Sequence, residues 1–297
     1  MLGEGKPEWL RAQLPNGKEY ARVKLLVQKK GIGTVCEEAH CPNIAECWNS
    51  GTATFMVLGK VCTRGCRFCA VKTGLRGEEV NENEAAELAK AVKEMGLDYV
   101  VITSVDRDDL PDQGAGHFAE CVREVKKENP ATKIEILIPD FRGERELIEE
   151  ITHCGAEVIS HNIETVKELQ GKVRDGRANY EQSLEVLRAV KEFNPLVFTK
   201  SSIMLGLGET KEQAIGAMRD LRKAKVDFLT LGQYLQPSKN QIEAKRFVEP
   251  REFEELRETA LEMGFGYCAS GPLVRSSYRA GEFFIKNAVN GMREEKK

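Results

Sequence analysis

Nine cysteines stand in a chain of 297 residues, and six of them fall between residues 36 and 69. The tightest group reads Cys62-Thr-Arg-Gly-Cys66-Arg-Phe-Cys69, a CxxxCxxC in the stretch just after an apolar run that reads as a strand. Thiolates at that spacing can face one centre. On a four-iron cubane, three thiolates leave one iron open to chelate a substrate or cofactor. A zinc ribbon instead pairs CxxC knuckles with a fourth thiolate or histidine, and none follows Cys69 nearby. An iron–sulfur cluster is therefore the favoured occupant of Cys62, Cys66 and Cys69. The second group, Cys36, Cys41 and Cys47, is looser. Taken alone, it fits a small metal-bound cap or simply buried thiols.

Composition limits what else the chain can be. It is 41% apolar, 31% charged and 7% aromatic, which excludes collagen, disorder and membrane spans. Lys plus Arg number 44 against 47 Asp plus Glu, a formal charge of −3, which disfavours nucleic acid as a partner. The opening stretch, MLGEGKPEWLRAQLPNG, has no apolar h-region and mixes acids with bases, so the expected location is cytoplasmic. In a reducing compartment, clustered cysteines point to metal ligation rather than to disulfides. Cys121, Cys154 and Cys268 are expected as small apolar core residues.

The elements that must position these groups follow a βα rhythm. Apolar, β-branched runs at 54–58, 99–103, 134–139, 158–162, 197–204 and 228–234 alternate with amphipathic stretches, the pattern of parallel strands buried on both faces. One such stretch, 83–95, sets Leu88, Ala91, Val92 and Met95 at helical spacing before Gly96, a left-handed stop. Residues 1–53 form an amino-terminal extension, and residues 264–297 a carboxyl-terminal one ending in a charged REEKK run. Lengths alone leave open whether six strands close, splay into a partial barrel, or form a doubly wound sheet.

The CxxxCxxC with Phe68 before its last cysteine resembles the radical S-adenosylmethionine (SAM) superfamily. That resemblance implies a [4Fe–4S] cluster on Cys62, Cys66 and Cys69, a SAM chelated at the open iron, and a 5′-deoxyadenosyl radical. The implied fold is α/β, a partial six-unit β/α barrel of TIM type over 54–263, with the cluster at the carboxyl ends of the strands. The CxxxxCxxxxxC of Cys36, Cys41 and Cys47, with HCPN at 40–43 and Trp48, resembles the lipoyl synthase family. So do TSVDRDDLPD at 103–112, SHNIET at 160–165, MLGLGET at 204–210, TLGQYLQP at 230–237 and the RSSY run at 275–278. Gln113 and Ser202 depart from that pattern, in which glycine is usual.

The family resemblance implies insertion of two sulfur atoms, at carbons 6 and 8, into an octanoyl chain on a carrier-protein lysine. A second [4Fe–4S] cluster on Cys36, Cys41, Cys47 and Ser277, with Ser276 as the alternative serine, would be the sulfur donor. Implied partners are octanoylated lipoyl carrier domains or H protein, an electron donor and an iron–sulfur cluster carrier. For SAM itself, Asp106 is expected to meet the amino group, Asn162 and Glu164 the ribose, and Lys200 the carboxylate; helix capping and exposed ion pairs are the structural alternatives. Arg174 and Arg177 are expected on a solvated loop face. The competing functions are another radical SAM enzyme with an auxiliary cluster, such as a methylthiotransferase, a two-cluster electron-transfer protein, and a zinc-bearing binding module.

Overall fold

The computed structural model describes residues 7–11, 16–30, 33–38, 41, 43–49 and 52–278. The REEKK run lies outside them. Three helices precede the sheet: α1 (Lys18–Lys30), α2 (Val35–Glu38) and α3 (Ile44–Asn49). Seven parallel strands then line up in the order β1 (Thr52–Val57), β4 (Tyr99–Ser104), β5 (Lys133–Leu137), β6 (Val158–Ser160), β7 (Phe198–Leu205), β8 (Phe228–Gln233) and β9 (Tyr267–Gly271). A separate two-stranded ladder, β2 (Val61–Cys62) with β3 (Lys72–Thr73), brackets the CxxxCxxC segment. Strand order follows chain order, and among the described residues no pairing joins β9 back to β1, so the sheet is an open barrel of the expected α/β class.

Helices α4 (Glu84–Met95), α5 (Ala115–Glu128), α6 (Arg145–Thr152), α7 (Gln170–Val173), α8 (Tyr180–Phe193), α9 (Lys211–Lys223) and α10 (Pro250–Glu262) fill the intervals between strands. Local chemistry sets several of their ends. The Asn179 side chain accepts from the Gln182 N–H at the start of α8, and Thr210 with Gln213 closes a capping box on α9. Gly96 stops α4 at φ +63°.

The strand count differs from the sequence expectation of six. β9 falls in the stretch assigned to the carboxyl-terminal extension and pairs with β8 from Phe228↔Tyr267 to Gly232↔Gly271. Its sequence, YCASG, lacks the β-branched run that marks the others, because it is only partly buried at the edge of the sheet. At the other edge β1 begins at Thr52, two residues before the expected boundary at 54.

Lys200 is not where sequence reasoning placed it. Its ammonium is buried beneath the strand ends, 2.9 and 3.1 Å from the two carboxylate oxygens of Glu135 on β5. Tyr99 Oη and Ser160 Oγ each donate to the same carboxylate at 2.9 Å. This closed group joins four strands across the barrel floor and keeps the Lys200 ammonium buried there. Removing one partner of such a pair strands a buried charge, at about 3–5 kcal/mol. Lys200→Met should therefore lower the unfolding free energy of the metal-free chain by about that amount in urea. An unchanged midpoint would show that the pair does not hold the floor together.

Candidate active site

A cavity of about 530 Å³ opens at the carboxyl ends of the strands, and all six clustered cysteines line it. Asp106, Asn162, Glu164, Ser276 and Ser277 share its wall. Cys121, Cys154 and Cys268 are buried elsewhere, as core thiols.

The segment bearing Cys62, Cys66 and Cys69 is fixed from three sides. The Thr63 N–H donates to the Asp106 carbonyl at 3.0 Å, the Gly65 N–H to Asp175 at 2.8 Å, and the Arg67 N–H to the Val173 carbonyl at 2.9 Å. Phe68 packs with Val173, Leu207 and Tyr234. Arg64 is almost fully buried and reaches three carboxylates: Asp108 in a two-pronged bond with both distances 2.9 Å, Asp140 at 2.8 Å and Asp106 at 3.3 Å. The turn entering this segment is left-handed at Leu58, φ +67°. Its N–H is taken by Glu84, which also bonds His117, and its carbonyl by Arg107.

The second trio is built by the amino-terminal helices. Cys36 lies in α2, Cys47 in α3, and the Cys41 N–H donates to the Cys36 carbonyl at 3.0 Å. Stacking of Tyr20 on Trp48, centroids 5.4 Å apart, binds α1 to α3. The segment 272–278 folds over the same end. Asn43 donates to the Leu273 carbonyl, and Tyr278 Oη bonds Glu46 at 3.0 Å. Gly232 permits that approach, because a Cβ there would collide with the Val274 carbonyl oxygen.

The donor chemistry fits clusters better than single ions. Among the described residues, the group of three or more His, Cys, Asp or Glu whose ligating atoms all lie within 4.8 Å of one another is Glu84, His117 and Cys121, the turn-supporting Glu84–His117 pair with a core thiol beside it. Neither trio on the cavity is gathered that tightly, as thiolates spread around several irons would be. Three thiols on each side, with a serine pair beside one trio, suit two such groups.

Other polar residues divide clearly. The Asp106 carboxyl faces the cavity 3.7 Å from Cys62 Sγ, and burial pushes it up to about 6 against the pull of Arg64. Asn162 donates to Glu164 at 3.1 Å while its Oδ1 is buried without a partner among the described residues, a vacancy a donor in the cavity would fill. Glu164 holds a left-handed backbone, φ +65°, and burial raises its carboxyl. His161 is buried against the cavity, and its Nδ1 donates to the Ile138 carbonyl. Burial pushes its ring down to about 4, so it is neutral.

Arg174, expected on a solvated loop, is only 8% exposed and lines the cavity. Its guanidinium bonds the neutral side chains of Gln170 and Ser183 at 3.2 and 2.7 Å, and among the described residues no carboxylate lies within ion-pair distance of it, although its charge reaches the buried Glu164. The sequence signal for it was slight, a basic residue in a turn after strand four. Arg177 is half exposed and paired with Asp175 and Asp108. Gln113 takes φ +51°, the conformation glycine adopts most readily, and bonds Glu144 at 2.8 Å. Its departure from the family pattern therefore leaves the turn intact. Ser202 lines the cavity and its carbonyl accepts from the Glu164 N–H.

An open parallel barrel with a three-cysteine segment at its mouth is the arrangement of the radical SAM superfamily, whose family model matches residues 56–221. A second model, for the N-terminal domain of lipoyl synthase of the radical SAM family, matches residues 4–41. The mitochondrial lipoyl synthase of Branchiostoma floridae is 53% identical over 294 residues, covering 97% of this chain and 78% of that one. That of Bos taurus is 53% identical over 288 residues, covering 95% and 77%. The apicoplast lipoyl synthase of Plasmodium vivax is 53% identical over 292 residues, covering 98% of this chain and 66% of that one. The chain belongs to the lipoyl synthase family. Among solved structures, methylornithine synthase matches with a TM-score of 0.55 at 15% identity, over 96% of this chain and 95% of that one. The FeFe-hydrogenase maturase HydG from Carboxydothermus hydrogenoformans gives 0.55 at 14%, over 91% and 78%. These two share the fold. The relatives' names place them in mitochondria and apicoplasts, which lends no support to the cytoplasmic expectation. Among the described residues, no helix is long and apolar enough to cross a membrane.

Two outcomes follow from this geometry. Gly232→Ala should displace the 272–278 segment and reduce iron after anaerobic reconstitution from about eight to about four per chain. Loss of all iron, or of none, would contradict the separate support of the two trios. In the metal-free chain, burial pushes Cys62 and Cys66 up to about 12 and Cys69 to about 11, from an ordinary 9.0. The neutral thiols thus favour the fold fully below pH 9.0, an advantage lost as pH rises toward 11 and 12. Ligation must expel those protons, so iron uptake should increase from neutral to mildly alkaline buffer, with proton release seen by a dye. Uptake independent of pH would contradict it.

Proposed function

We propose that the chain inserts two sulfur atoms, at carbons 6 and 8, into an octanoyl group held in amide linkage on a lysine of a lipoyl carrier domain or H protein. The observation that carries this reading is the single cavity lined by both cysteine trios and by Ser276 and Ser277. A centre that generates radicals and a centre that gives up sulfur must both reach one substrate chain. When bound, the [4Fe–4S] cluster and SAM supply the radical that abstracts hydrogen from an unactivated carbon, and the auxiliary cluster supplies the sulfur.

The chain's own residues hold and shield. Cys62, Cys66 and Cys69 would ligate the first cluster, and Cys36, Cys41 and Cys47 the second, with Ser277 as its serine ligand and Ser276 as the alternative. An alkoxide is a harder ligand than a thiolate and suits an iron that must be given up. Asp106 receives the SAM ammonium, Asn162 and Glu164 the ribose hydroxyls, and Arg174 takes the carboxylate role that buried Lys200 cannot. Water exclusion by the apolar wall, which includes Met56, Ile138 and Ile203, protects a radical from quenching. An electron donor and an iron–sulfur cluster carrier complete the cycle.

The test is anaerobic reconstitution, then incubation with SAM, dithionite and an octanoyl-lysine peptide, read by mass spectrometry. Expected are 5′-deoxyadenosine and a peptide gaining two sulfurs, with Ser277→Ala cleaving SAM but inserting no sulfur. Cleavage without sulfur gain in the parent would discard the substrate. Full turnover in both Ser277→Ala and Ser276→Ala would discard the serine ligand.

A further inference from the structure

Three segments of the chain meet at the stretch that carries Cys62, Cys66 and Cys69. Arg67, between Cys66 and Cys69, donates its N–H to the Val173 carbonyl at 2.9 Å and accepts from the Ile242 N–H at 3.0 Å. The Gln241 side chain donates to the Cys69 carbonyl at 3.2 Å. Each segment carries one exposed cation: Arg67, Lys172 in α7 beside Val173, and Lys239 in the turn before Gln241. None of these three side chains has an ion-pair or hydrogen-bond partner among the described residues.

The acids nearby do not cancel them. Asp175 is held by Arg177, and Glu243 lies 3.9 Å from Lys245. Lys167 is paired with Glu181 at 2.7 Å, leaving Glu168 as the remaining exposed acid of this stretch. A positive face thus sits on a chain whose net charge is −3. Unpaired like charges on neighbouring segments gain nothing for stability. They do raise the local potential and steer an oppositely charged partner.

We propose that Arg67, Lys172 and Lys239 form the docking face for a small, acidic one-electron donor protein. The proposal rests on the reading that Cys62, Cys66 and Cys69 hold a redox cluster. Position selects this partner over others: Arg67 is exposed and stands between Cys66 and Cys69, so a protein seated there lies against the segment that carries the trio. One electron leaves the donor for each sulfonium bond of SAM reductively cleaved, and no proton moves in that transfer.

The experiment uses the full chain, reconstituted, with Lys172→Glu and Lys239→Glu combined, so that the cysteine segment itself is left intact. A second double variant carries glutamine at the same two positions, should reversal disturb folding. The probe is a photoreduced acidic flavodoxin, compared with saturating dithionite. Charge reversal should lower flavodoxin-driven 5′-deoxyadenosine formation on the order of tenfold or more and abolish the parent's sensitivity to salt. The glutamine variant should fall in between. Dithionite-driven formation should be unchanged, and interferometry should show weaker flavodoxin binding whether or not iron is loaded. An unchanged flavodoxin rate, or an equal fall with both reductants, would overturn the proposal. Absence of dithionite-driven cleavage in the parent would instead overturn the functional reading, while the binding measurement would still test the face.

Discussion

The bond between Arg64 and its three carboxylates is the joint on which the site depends. Asp106 and Asp108 follow β4, and Asp140 follows β5, so one guanidinium inside the CxxxCxxC spacer ties the cysteine segment to two strand ends. Burying an arginine is costly and only full pairing offsets it. Burial works against the Asp108 carboxylate as well, yet Arg64 and Arg142 hold it down to about 2. The same contact that places Cys62 also places Asp106. Cluster ligand and expected cofactor ligand therefore move as one rigid piece, which preorganised binding requires.

Charge inside the cavity is arranged by the same logic. Glu164 and Asp106 carry carboxyls raised by burial, while Arg174 sits nearby with neutral partners. A zwitterion with separate ammonium and carboxylate groups complements such a wall. The neutral His161 fits between them, its Nδ1 donating to a carbonyl and its Nε2 meeting Ser183, so it braces Arg174 through Ser183 without adding charge.

Much of this was legible beforehand because it is local. Cysteine spacing is a statement about a few adjacent residues, and β-branched runs report strands buried on both faces whatever lies around them. β9 escaped because an edge strand need not be apolar. Lys200 and Arg174 were misplaced for a different reason. Both residues are basic and near a strand end in sequence, and only tertiary pairing decides which is used up. Glu135, 65 positions away, closes off the one, while α7 turns the other inward. The pairing of the two extensions was legible only through family resemblance, since no periodicity links Glu46 to Tyr278.

That last contact bears on how the molecule comes into being. The motif of Cys62, Cys66 and Cys69 is synthesised early, and its carboxylate anchors are present by Asp140. The auxiliary trio, although encoded first, is roofed by residues 273–278, some 230 positions later, the kind of long-range closure that forms last. During synthesis the site proposed to give up sulfur therefore stays unfinished until nearly all of the barrel has formed around the one proposed to generate the radical. Chain order delays the amino-terminal trio's enclosure until the Cys62, Cys66 and Cys69 segment has its walls.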